Sequence, residues 1–391
     1  MNDVREDFLS GQTPNTPSAS AAQELQDTLL PASAPHPALM RRLQEYLLEP
    51  GAPNVRLHPK WLANNLNVDE RELLGALAYG VRDGLVEMHW EVYCPMCGGG
   101  SGDIGSLRHA RGSIECVGCQ ASFDLHLDRD VRVTFSASER LRRERGDEEV
   151  PLTADGDAEL ATRGLDLLLV PAFWELFSGE APAADESLRI GRVAILFTDL
   201  RGSTAIYAER GDPRAYRLVR DHFAILADAI ERNNGALVKT IGDAVMATFA
   251  SGGDAVCAAF ESQAELCARA ADMGGELVLK AGVHAGACLA VKLNDRLDFF
   301  GGAVNTAARV QGLSRGNDVV VTNEVIADIE AKQNGQERRF QIENSFDAQL
   351  RGLSETVRVH RLVAATGSEV ARAASIRRSV GSRLLKLIKR M

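Results

Sequence analysis

"FTDLRGSTA" (residues 197–205) ends an apolar run on a single aspartate and follows it with a glycine and two hydroxyls. The segment from Arg192 to Thr198 reads as a buried strand. Gly202, Ser203 and Thr204 stand where a helix starts, so backbone N–H groups and the helix dipole there favour a phosphate. Downstream, the periodicity predicts a helix over 203–233 broken at Gly211–Pro213, a strand at Ala236–Thr240, a tight turn and a strand at Ala244–Phe249. A helix over 253–271 and a strand at Glu276–Val283 complete the pattern. That βαββαβ order predicts a ferredoxin-like core, an α+β fold of the α/β-sandwich kind, in which the first strand lies beside the second strand of the hairpin. Asp199, ending the first strand, and Asp243, in the turn "TIGDAV" (residues 240–245), are therefore expected to meet. Two carboxylates converging with no basic partner nearby in sequence repel each other unless divalent cations fill the gap. A capping aspartate and a turn aspartate would leave the same residues in place, and the residues alone do not separate the two readings.

Three stretches in order, "FTDLRGSTA", "VKTIGDAVMATF" (238–249) and "LDFFGGAVNTAARV" (297–310), resemble the class III nucleotidyl cyclase catalytic domain over about residues 188–364. The resemblance implies that Asp199 and Asp243, with the carbonyl of Leu200, hold two Mg²⁺ or Mn²⁺ ions, and that Gly202, Ser203 and Thr204 receive phosphate. It implies that Lys239 and Asp298 read the purine. A lysine donates to adenine N1 while a carboxylate accepts from the N6 amine, whereas guanine presents N1–H and O6 and mismatches both, so ATP is expected. Asn305 and Arg309 are four residues apart and share a helix face. By the same resemblance Asn305 orients the ribose, and Arg309 stabilises charge on the α-phosphate as the 3′-hydroxyl attacks. The family builds its site from two subunits, so a symmetric homodimer with composite sites is implied. One departure stands out: in "LRGLSE" (350–355) Leu353 occupies the place of the family's late lysine, with Arg351 close by. The expected activity is adenylate cyclase. The rivals are a nucleotide-sensing regulator without catalysis and a DNA-binding regulator working through the front half.

That front half reads as a winged-helix-like segment (37–92) followed by a zinc-ribbon-like segment (93–140). Pro59 opens a short helix, Asn65–Asn67 turns the chain, a second helix runs from Asp69 to Asp83 with Leu73, Leu77 and Val81 on one face, and a strand follows Gly84. This second helix carries Glu70, Glu72 and Asp83 against Arg71 and Arg82, a poor balance for holding phosphates, so nucleic acid is disfavoured. "CPMCGG" (94–99) and "CVGC" (116–119) form two CxxC knuckles, and Cys94, Cys97, Cys116 and Cys119 are expected to bind structural zinc with no open position for catalysis. His109 between them is expected to be a surface residue. "FDLHLDRDVRVTF" (123–135) is expected as one strand, and "LDLLLVPAFWELF" (165–177) as one packed helix within a helical linker (141–187). A winged helix and ribbon ahead of a cyclase also resemble an accessory domain of unassigned function found on bacterial cyclases.

The ends differ in character. Residues 1–36 are rich in Ser, Ala, Pro and Thr and read as a flexible leader, while 365–391 form a basic amphipathic tail suited to an anionic membrane or a partner's groove. Over 391 residues the chain is 45% apolar and 25% charged, which excludes disorder as a whole, and a net charge of −10 argues against coating nucleic acid. No signal-peptide pattern and no membrane-length apolar run is present, so the expected location is cytoplasmic, with the tail able to touch the inner membrane face.

Overall fold

The computed structural model describes residues 37–146, 161–180, 187–202, 212–270, 277–293, 296–332, 340–353 and 355–365; the expected leader, the tail from residue 366, and Ser203 and Thr204 lie outside them. The described chain opens with three helices, α1 (Pro37–Leu48), α2 (Pro59–Leu66) and α3 (Glu70–Arg82). Pro59 occupies the first turn of α2, where its missing N–H has no partner to lose, and Asn67 at φ 48 ends that helix. Asp69 caps α3 by accepting from the N–H groups of Arg71 (2.9 Å) and Glu72 (3.1 Å). Leu73 and Leu77 bury their shared face in one cluster with Met40, Leu43 and Leu62.

Next, β1 (Val86–Tyr93) pairs antiparallel with both β2 (Gly100–Asp103) and β5 (Val131–Ala137), while β3 (Ser113–Glu115) and β4 (Ser122–Asp124) make a hairpin of their own. The cysteine segment is thus inserted between two strands that pair with each other. The single strand expected over 123–135 is two, because the chain turns at 126–130: the Asp130 carboxylate accepts the His126 N–H (3.0 Å) and the Asp130 N–H reaches the His126 carbonyl (2.8 Å). After α4 (Glu139–Arg145), the helix expected at 165–177 is also split, into α5 (Gly164–Leu168) and α6 (Pro171–Leu176). Pro171 has no N–H to continue the first helix and instead starts the second. Phe173 is fully buried between Trp90 (centroids 5.9 Å) and Trp174 (5.0 Å), both edge-on.

The second half builds one mixed sheet. Its elements are β6 (Leu188–Leu200), α7 (Asp212–Arg232), β7 (Gly235–Ile241), β8 (Ala244–Phe249), α8 (Gly252–Ala268), β9 (Leu279–Leu293), β10 (Arg296–Phe300), α9 (Gly302–Gly312), β11 (Val319–Thr322), α10 (Asn323–Lys332), β12 (Phe340–Gln349) and β13 (Thr356–Ala364). The strand order is β12-β13-β11-β9-β6-β8-β7, with β10 folded back on β9. The run β9-β6-β8-β7 is the ferredoxin-like arrangement expected from the sequence. The fourth strand, expected to stop at Val283, continues to Leu293, because β6 and then β10 pair along it.

The two faces of β6 divide the interior. Ala194, Leu196 and Leu200 pack with Leu226 and Ile230 of α7 and Ala255 and Ala259 of α8. Val193, Ile195 and Phe197 belong to a second cluster, with Met246, with Ala303 and Ala307 of α9, and with the core of the front half. Alternation along the strand puts Asp199 on the side of Phe197. Among the described residues no helix is long and apolar enough to cross a membrane.

Candidate functional site

The carboxylates of Asp199 and Asp243 come together as the hairpin topology requires. The β7–β8 connection is two residues long, and Gly242 supplies its left-handed φ of 65°, leaving Asp243 to turn back toward the end of β6. There Asp243 Oδ2 accepts the N–H of Leu200 at 3.2 Å, so the Leu200 backbone lies beside both carboxylates. Burial pushes the Asp199 carboxyl above the usual carboxylate range, and the charge of Asp243 and a hydrogen bond with it push in the same direction, against a weaker pull from Lys280. Two close, hard carboxylate oxygen donors fit a divalent cation of the Mg²⁺ or Mn²⁺ type.

Lys239 and Asp298 also meet. Lys239 Nζ lies 2.5 Å from Asp298 Oδ2, while Asp298 Oδ1 accepts the N–H of Phe299 at 2.8 Å. Asp298 is buried and the Lys239 side chain is 35% exposed, so the pair opens to solvent on the lysine side. Asn305 and Arg309 stand on one face of α9, where Arg309 Nη1 donates to the Asn305 carbonyl at 3.0 Å. Among the described residues no hydrogen bond or ion pair joins these two to Asp199 and Asp243 or to Lys239 and Asp298. The helix is held tightly to β9 at Gly282, where an added Cβ would fall 2.2 Å from the Gln311 backbone nitrogen.

Gly202 follows β6 with φ 75°, and its neighbours Ser203 and Thr204 lie outside the described residues. Leu353, in place of the late lysine, packs against the small core of Val310, Leu350 and Val359 and is therefore structural. Arg351 is exposed, and the adjoining Gly352 approaches Arg309, a Cβ there falling 3.3 Å from Arg309 Nη2.

Sequence reasoning did not single out His222 of α7. It is fully buried with neither ring nitrogen hydrogen-bonded among the described residues, and burial drives its pKa down to about 4 against an opposing pull from Asp243. A histidine in an amphipathic helix carries no local signal of this kind.

In the front half, the sulfurs of Cys94, Cys97, Cys116 and Cys119 lie within 4.8 Å of one another. Cys94–Cys119 and Cys97–Cys116 are each 3.7 Å apart, close to the edge of about 3.8 Å expected for a tetrahedron with Zn–S bonds of about 2.3 Å. The Met96 N–H points at Cys94 Sγ (3.4 Å), the Cys119 N–H at Cys116 Sγ (3.5 Å) and the Ser101 hydroxyl at Cys116 Sγ (3.2 Å). The four residues fit a closed zinc site. His109 is exposed and outside the cluster.

Residues 186–363 match the family model "Adenylate and Guanylate cyclase catalytic domain", and residues 42–155 match a family of unknown function (DUF5939). An adenylate cyclase of Anabaena cylindrica is 28% identical over 170 residues, which is 38% of this chain and 34% of that protein. Adenylate cyclase 2 of Rhizobium meliloti (strain 1021) is 29% identical over 176 residues, 42% of this chain and 47% of that one. The chain thus spans about a third to a half of the length of these curated relatives. A guanylate cyclase domain from Catenaria anguillulae, solved in complex with GTP, is 18% identical with a TM-score of 0.40, covering 45% of this chain and 98% of its own.

Proposed function

Because residues 186–363 belong to the adenylate and guanylate cyclase catalytic domain family, we propose that this protein is an adenylate cyclase, forming 3′,5′-cyclic AMP and pyrophosphate from ATP in intracellular signalling. The observation that carries ATP over GTP is the Lys239–Asp298 pair. An adenine edge inserted between them accepts from the ammonium at N1 and donates its N6 amine to the carboxylate. Guanine sets donor against donor and acceptor against acceptor, at about 1–3 kcal/mol for each unpaired group, so the preference is on the order of 10²-fold.

Asp199, Asp243 and the Leu200 carbonyl are the ligands for two Mg²⁺ or Mn²⁺ ions, with Gly202, Ser203 and Thr204 receiving the phosphates. When bound, the ions lower the pKa of the 3′-hydroxyl and neutralise the leaving pyrophosphate. Asn305 holds the ribose so that its 3′-oxygen faces the α-phosphorus, and Arg309 places a fixed cation where negative charge grows as the P–O bond to pyrophosphate breaks. Arg351, beside Arg309 through Gly352, grips the triphosphate in place of the missing lysine.

The family resemblance and the lack, among the described residues, of any hydrogen bond or ion pair from Asn305 or Arg309 to Asp199 or Asp243 support a symmetric homodimer in which each subunit completes the other's site. So do the exposed apolar side chains Ile241 (52%), Leu293 (55%) and Phe300 (66%) at the ends of β7, β9 and β10. The four cysteines hold a structural zinc. The basic tail is suited to an anionic membrane or a partner's groove, and the location that goes with this reading is the cytoplasm or the inner membrane face. Arg71 donates to the carbonyls of Leu169, Asn234 and Gly235, and Arg82 to Asp83, so the two α3 cations are already engaged, which weighs against the DNA-binding reading.

The test is product formation by the purified full-length protein with Mn-ATP and with Mn-GTP. Cyclic AMP in large excess over cyclic GTP is expected. A dimer that retains nucleotide yet makes neither product would leave only the sensing role.

A further inference from the structure

The four-cysteine centre belongs to the front half, and the reaction gives it no task. Its position in the chain suggests one. Residues 104–112 form the loop between the two knuckles, and both ends of that loop are tied to the sulfur cluster. Ser101, in the strand that enters the loop, donates to Cys116 Sγ at 3.2 Å, and β3, which leaves it, runs directly into Cys116.

The middle of the loop grips the segment that leads to the catalytic sheet. Ser106 Oγ and the Leu107 N–H both donate to Glu180 Oε2, at 2.8 and 3.1 Å. Arg108 adds a fork, Nε and Nη2 donating to the Gly179 carbonyl at 2.9 and 2.7 Å. The single helical turn Ser178–Glu180 so held lies against β10. Leu297 and Phe299 of β10 share a buried cluster with Leu107, Trp90 and Phe173. Asp298 stands between those two residues, 2.5 Å from Lys239.

We propose that the cysteine centre is a positioning device for the purine pair: closed on its metal, it clamps Ser106–Arg108 onto Gly179–Glu180 and thereby sets where β10 presents Asp298 to Lys239. Opening the centre frees both ends of the loop, loosens the backing of β10, and degrades base recognition while leaving Arg309 and the aspartates in place. The inference rests on the reading of Lys239 and Asp298 as the pair that selects the base.

The test uses the full-length protein. Cys97→Ser combined with Cys119→Ser removes two exposed ligands, and Arg108→Ala cuts the clamp while sparing every cysteine. Zinc content is expected to fall in the first variant and to stay at the wild-type level in the second. Both are expected to raise KM for ATP by about tenfold, the worth of a charge-assisted hydrogen bond, with kcat within about twofold. The ATP-over-GTP preference is expected to narrow alongside KM, and combining all three substitutions is expected to add little, since they act on one path. Amide exchange of the peptide spanning 296–300 is expected to speed up in both variants. Wild-type KM and wild-type β10 exchange in the zinc-free protein would overturn the proposal, as would an Arg108→Ala protein indistinguishable from wild type. Were the wild type to make no cyclic nucleotide at all, the adenylate cyclase reading would fall, while the exchange of β10 would still decide whether the cysteine centre reaches it.

Discussion

His222 shows how much a single side chain in this domain is constrained by its surroundings. Its folded pKa of about 4 lies below the ordinary 6.5 because a fully buried ring with no hydrogen bond among the described residues resists protonation. The neutral ring therefore contributes fully above pH 6.5, and the contribution drains away as pH falls from 6.5 toward 4, by about 3 kcal/mol in all. Urea unfolding at stepped pH is expected to show this loss in the wild type and not in His222→Leu; parallel curves for the two proteins would contradict it. Lys239→Glu is a second residue-scale test. It sets two carboxylates against each other at the base pocket, so ATP turnover is expected to fall by at least 10²-fold, the cost of an unpaired buried charge, while the fold survives because Lys239 is part-exposed. Undiminished ATP turnover would sink the purine assignment. The meeting of Asp199 with Asp243 was legible because both sit at points fixed by short-range rules, a strand end and a two-residue turn. The burial of His222 was not, since it depends on what α7 covers.

At the scale of elements, α9 carries Asn305 and Arg309 and rests on β9 through Gly282, where the helix backbone lies close against the strand. Gly282→Ala would drive a methyl group into the Gln311 backbone, which cannot rotate away as a side chain could. The helix must shift, at about 1–3 kcal/mol of stability or more. On the roles proposed for Asn305 and Arg309, the expected kinetic signature is a fall in kcat larger than the rise in KM. Unchanged kcat in a folded Gly282→Ala protein would mean that the placement of α9 does not limit catalysis. Sequence pattern located most elements well and misjudged three. Pro171 split one helix, and the Asp130 side chain broke a strand that alternation alone made continuous. The small and charged residues of "AGACLAVKLNDR" (285–296) hid an extension of β9 that exists only because β6 and β10 flank it.

For the whole molecule, the composite site is the central expectation. If each subunit completes the other's site as proposed, Asp199→Ala and Arg309→Ala damage opposite halves of it, and mixing the two inactive proteins is expected to restore about a quarter of wild-type activity, one sound site in each mixed dimer. A mixture proven to contain mixed dimers yet wholly inactive would place all the machinery within one subunit. The union of the two halves of the chain was not legible at all. In the sequence Arg71 is only one of two cations on a helix too acidic to hold phosphates, and it spends its guanidinium on carbonyls of residues roughly 100 and 160 positions away, a pairing that leaves no trace in local sequence.

One apolar mass runs from Leu43 of α1 through Phe173 of α6 to Phe299 of β10. A chain trimmed to begin at Leu188 would lose apolar partners of the cluster that holds Ile190, Ala290 and Leu297. Nor is the front half a cap that can swing aside on a hinge. Its core is continuous with that of the large sheet, so grafting it onto a foreign enzyme would demand rebuilding the joint from both sides.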